Sequence, residues 1–110
     1  MSVMTHSATA TTGAIASTVA PDHAFQLLEV RLHLNGAGGA TGVVTFSGTV
    51  DALAGAPYDV VLLTQDMEAI TDYVYQPTYP QIFAKGDEID FAYANGSNKT
   101  YGLTVIYNLI

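Results

Sequence analysis

The sequence predicts an all-β protein: a single antiparallel, jelly-roll-like β-sandwich of seven or eight strands with an extended N-terminal arm. Three observations predict it. Apolar and polar residues alternate with a period of two through most of the chain after Pro21, which is the period of a strand with one buried face. Short clusters of Gly, Pro, Asn and Asp interrupt the alternation at close intervals, as between the strands of a sandwich or barrel. At 110 residues there is room for one domain and one modest core.

Residues 1–20 contain no Asp, Glu, Lys or Arg, and thirteen of them are Ser, Thr or Ala. The segment is too polar for a core element, and no basic stretch precedes a continuous apolar run as in a secretory signal. Thr11, Thr12, Ile15, Thr18 and Val19 suit an extended strand wherever an edge is offered. The chain therefore divides into an arm over 1–21 and a sandwich over 22–110. The arm is expected to add a strand to a neighbouring molecule through main-chain hydrogen bonds.

In HAFQLLEVRLHLN, Leu28, Val30, Leu32 and Leu34 share one face, and Glu29, Arg31 and His33 the other. GAGGATG breaks the pattern, and VVTFSGTV resumes it with Val44, Phe46 and Val50 on one side. After the turn-rich DALAGAP, the continuously apolar YDVVLLT suits the middle of a sheet. QDMEAITDYVYQP is ambiguous. Met67, Ile70 and Val74 have helical spacing behind Asp66 as an N-cap, but Ile70, Asp72 and Val74 also alternate, among strand-forming tyrosines. It is read as a turn over 65–69 and a strand ending at Pro77. QIFA is a short strand and KGD a tight turn, and EIDFAYAN alternates through Ile89, Phe91 and Tyr93. GSNK turns the chain into TYGLTVIYNLI, with Tyr101, Leu103, Val105 and Tyr107 on one face. The expected core comprises Leu28, Val30, Leu32, Phe46, Val60, Leu62, Phe91 and Val105.

Charge narrows the function. Arg31, Lys85 and Lys99 stand against ten acidic residues, for a formal charge of −7. Displacing counterions from phosphates needs Lys or Arg, so nucleic acid is excluded as a partner. An anionic membrane surface is excluded on the same ground. No apolar run nears the roughly twenty residues of a membrane helix, which predicts a soluble chain. Cysteine is absent, which removes disulfides and thiolate metal sites. With 12% charged and 49% hydrophobic residues, much of the surface is expected to be neutral and partly covered by other subunits.

Each candidate motif has a plain structural explanation. GAGGATG lacks the Lys and Ser/Thr of a phosphate loop and runs into a strand, so it is a hairpin loop. Asp66, Glu68 and Asp72, and again Asp87, Glu88 and Asp90, could supply a carboxylate pair or oxygen ligands. Without calcium-loop spacing they are read as solvated turns, and no metal, cofactor or catalytic residue is assigned. His6, His23 and His33 are scattered, and no G-x-S-x-G elbow marks a nucleophile. Asn95 and Asn98 match the glycosylation pattern but read first as turn residues. In DYVYQPTYPQIF, Tyr73, Tyr75 and Tyr79 surround Pro77 and Pro80. Exposed tyrosine on a stiff loop suits a protein interface or a sugar platform, and the competing explanation is packing against the core.

Residues 25–108 resemble the small β-sandwich structural proteins of tailed bacteriophages, through LLEVRLHLNGAGGATG, YDVVLLTQDM, TDYVYQP and GDEIDFAYANGSNKTYGLTVIY. The resemblance implies a non-enzymatic capsid cement or decoration protein. It would be made in the host cytoplasm, act at the virion surface as a homotrimer, and bind the major capsid protein or another virion structural protein. A tail or fibre accessory, or a carbohydrate-binding module using the tyrosine loop, is the alternative. The expected interface is Thr11, Thr12, Ile15, Thr18 and Val19 of the arm with Tyr73, Tyr75 and Tyr79. The arm itself matches no member of that group known to us.

Overall fold

The computed structural model describes residues 2–110. Nine strands run in order: β1 (Ser2–Ala10), β2 (Ile15–Val19), β3 (Phe25–Leu34), β4 (Thr45–Asp51), β5 (Val61–Asp66), β6 (Asp72–Tyr75), β7 (Gln81–Phe83), β8 (Glu88–Tyr93) and β9 (Tyr101–Leu109). One sheet has the order β1-β9-β3-β6, with β7 also on β3, and the other has the order β2-β8-β4-β5. All pairings are antiparallel. They nest: β1 with β9, β2 with β8, β3 with β6 and β7, β4 with β5. The chain is thus one long hairpin folded over on itself into two packed sheets. Seven strands follow Pro21, within the expected number, and two precede it.

Those two strands correct the expectation of an arm reaching for a neighbour. β1 pairs with β9 along its whole length, from Ser2 opposite Leu109 to Ala10 opposite Tyr101. β2 pairs with β8, Ile15 opposite Tyr93 and Val19 opposite Ile89. The edges the segment needs are supplied by strands seventy or more residues away in the same chain, so 2–19 belong to the sandwich and Pro21 marks no domain boundary. Ile15 and Val19 lie in the core at 2% and 1% exposure.

The core forms between the sheets. Phe25, Leu27, Val30, Leu32 and Leu34 of β3 meet Phe46 and Val50 of β4 and Ile89, Phe91 and Tyr93 of β8, all buried. Phe46 and Phe91 stack at 6.0 Å, and Phe25 and Phe83 at 5.0 Å. Gly48 lies between Phe46 and Val50 because nothing larger fits: a Cβ there would come within 2.9 Å of the Phe91 ring. Of the expected core, Val30, Leu32, Phe46, Phe91 and Val105 are buried as predicted.

Leu28, Val60 and Leu62 are not. The β3–β9 register shifts between Leu27 and Glu29, and this bulge moves the inward set from an even run to Phe25 and Leu27 before it and Val30 after it. Leu28 is left half-buried. A second shift, between Gly48 and Thr49, lies opposite β5. There Leu63 takes the core position, Leu62 is half-buried and Val60 is 52% exposed. YDVVLLT is also an edge strand, not a central one. Its apolar run reflects an apolar outer surface, not burial on both faces.

The loops are packed, too. Gly38 and Gly39 donate to the Met67 and Glu68 carbonyls, each at 2.9 Å, so GAGGATG lies against the turn after β5.

Candidate functional site

The side of the sandwich where β5 and β7 end their sheets carries several large apolar side chains left exposed. An open groove of about 470 Å³ lies there, lined by Val50, Leu53, Tyr58, Val60 and Phe83, with Lys85 and Asp87 among its polar lining residues. Leu53 is 73% exposed, Tyr58 66% and Ile82 63%. A smaller groove of about 250 Å³ shares Phe83 and continues past Leu62, Tyr79 and Ile82. The frame around it is fixed by Asp87, whose carboxylate accepts from the Leu53 amide at 3.1 Å and the Ala84 amide at 3.0 Å. One carboxylate thus clamps the β4–β5 loop to the β7–β8 turn. Asp59 holds the same loop by accepting from the Ala52 amide at 2.8 Å.

Of the readings open for the three tyrosines, packing against the core holds for two. Tyr73 and Tyr75 alternate with Val74, which points outward at 55% exposure, and both rings pack against the core. Tyr73 meets Phe46 edge-on at 6.3 Å, and burial, then the neighbouring Tyr75, push its phenol above the ordinary tyrosine range. The Tyr75 hydroxyl accepts from Gln81 Nε2 at 3.0 Å. Tyr79, 66% exposed between Pro77 and Pro80, is the one of the three available to a partner.

The arm residues separate in the same way. Ile15 and Val19 are core and cannot serve an interface. Thr18 donates to Asp90 of β8 at 2.6 Å. Thr11 and Thr12 are exposed at the β1–β2 turn, where the Thr11 carbonyl accepts from the Thr100 hydroxyl.

The acidic residues act as fasteners. Asp66 accepts from the Glu68 amide at 2.8 Å and so closes the turn after β5. Asp72 pairs with His33 across β6 and β3, and that bond, opposed by some desolvation, lowers its carboxyl from the usual range. Glu29 is lowered by hydrogen bonds from Gln76 first and Arg31 second. Among the described residues no group of three or more His, Cys, Asp or Glu side chains is placed to hold a metal ion.

The groove is not legible in the sequence, because its lining comes from separate segments of the chain. Leu53 carries the only signal, as a large apolar residue within the turn-rich DALAGAP. Compared with known proteins, the chain matches no family model and no curated protein.

Proposed function

We propose that the protein is a non-enzymatic structural subunit that covers a larger assembly, as a capsid decoration protein does on the surface of a virion. The observation that carries this reading is the apolar surface along β5 and β7, on a chain of net charge −7. Leu53, Tyr58, Val60 and Ile82 are large side chains left in water, and contiguous apolar surface of this kind marks a docking site. The groove offers pockets for partner side chains, and the loops around it are held by Asp59 and Asp87, so little ordering is required on binding. The nested strand order supports the reading as well, since we take it as a jelly roll, an architecture frequent in capsid proteins. The resemblance of residues 25–108 to the small β-sandwich structural proteins of tailed bacteriophages agrees with this reading, with a major capsid protein or another virion structural protein as partner.

Co-sedimentation with particles assembled without the protein tests this. The wild-type chain is expected to bind, and Val60→Asp, at an exposed position, to bind at least tenfold more weakly with an unchanged circular dichroism spectrum. Equal binding by Val60→Asp would overturn the assignment of this face. Tyr79 favours a second reading, carbohydrate binding: its ring is exposed beside Pro77 and Pro80 over a groove of about 280 Å³. A glycan array that retains the wild type and releases Tyr79→Ala would establish it.

A further inference from the structure

The two sheets have four edges, and three are guarded. β6 and β7 are four and three residues long, with Pro77 and Pro80 between them and Asp72 at one end. β2 has five residues and lies beside the Asp90 carboxylate that Thr18 engages. β5 ends in Asp66, follows Asp59 and faces a register shift. Short strands, prolines, charges and bulges are the devices that stop an edge from pairing with another chain.

β1 has none of them. It is nine residues long, pairs with β9 without a register shift, and contains no Pro, Gly, Asp, Glu, Lys or Arg. Its exposed positions Val3, Thr5, Ser7 and Thr9 include the β-branched residues that favour strand pairing.

We propose that β1 is the seat of a two-fold contact between two copies of this chain, their β1 strands pairing antiparallel so that one sheet continues into the other molecule. The charge pattern favours a second copy as occupant. A two-fold contact sets a surface against itself, so any charge near the axis meets its like. Two chains of −7 repel at every edge that carries carboxylates. β1 offers nine residues of backbone with no such repulsion.

Symmetry fixes more. Opposite residues of an antiparallel pair point to the same side of the sheet, so one β1 residue must face its own copy. Complete overlap of Ser2–Ala10 puts His6 at the axis, with Thr5 opposite Ser7 and Met4 opposite Ala8. Two copies, not the three that the phage resemblance implies, close this contact. It stands apart from particle binding and is tested on the purified chain alone.

Sedimentation velocity at tens of micromolar should give twice the mass of the 11.6 kDa chain. Thr5→Lys/Ser7→Lys places like charges opposite each other on exposed positions and is expected to weaken association at least tenfold. Val74→Lys, on the β6 edge, should leave it unchanged. The chain has no cysteine, so a spin label on Ser7→Cys reports position even if the lysine variant folds poorly. The strand spacing and rise place the two Ser7 Cα atoms about 8 Å apart. A monomeric wild type, a folded lysine variant that still pairs, a pair broken by Val74→Lys, or labels too far apart for paired β1 strands would each overturn the proposal.

Discussion

The Asn95 side chain donates to the Gly13 and Lys99 carbonyls, each at 2.8 Å, and accepts from the Lys99 amide at 2.9 Å. It is 1% exposed, with φ of 54°, a left-handed geometry that Asn tolerates better than most residues. One amide therefore closes the β8–β9 turn and ties it to the turn between β1 and β2. Asn95→Asp is nearly isosteric but deletes both donors and sets an acceptor against two carbonyl oxygens. The expected cost is about 2–4 kcal/mol, read from urea unfolding followed by circular dichroism. A change below about half a kcal/mol would mean that the turns are held by other contacts.

β1 and β2 contribute as elements, not as a tail. Ile15 and Val19 close the core from β2, while Ala8 and Ala10 of β1 pack against it. His6 Nε2 lies 2.6 Å from Ser17 Oγ and links the two strands across the sheets. A chain truncated to begin at Pro21 exposes the β8 and β9 edges together with the buried faces of Phe91 and Leu103. It is expected to lose cooperative thermal unfolding, and Ile15→Ala alone to cost about 2–5 kcal/mol. A cooperative melt from the truncated chain would restore the detached arm. The sandwich and most of its inward residues were legible because β3, β4, β8 and β9 follow the two-residue period. β1 was not legible, since its inward positions are His6, Ala8 and Ala10, which give no hydrophobic alternation, and its partner lies at the far end of the chain. The β3 bulge was hidden as well. Leu27 and Leu28 are chemically equivalent in sequence, and the register shift alone decides which turns inward. Packing of one or two of the tyrosines against the core was among the readings the sequence left open, but it did not say which ones, because Tyr73 and Tyr75 alternate with an apolar Val74.

At the scale of the whole molecule, two carboxylates set part of the response to acid. Glu29 and Asp72 have folded pKa values below those of the unfolded chain. Their contribution is therefore complete above the ordinary carboxylate range and is lost as pH falls through the depressed values. The Asp72 carboxylate is well solvated, so its share is small. Asp72→Asn is expected to flatten the fall in urea midpoint between neutral pH and about pH 3, and an unchanged slope would show that the His33–Asp72 pair carries none of it. The nesting of β1 on β9 has a consequence in time. Of the nine strands, β1 leaves the ribosome before all the others and finds its partner in β9, which follows them all, and β2 waits almost as long for β8. Neither can settle until β8 and β9 have emerged, so the sandwich closes only once those strands are out. A topology so rich in distant pairings folds on a scale of about milliseconds to seconds. Throughout that interval the uncharged Ser2–Ala10 segment stays unpaired, and the nascent chain is most open to mispairing there.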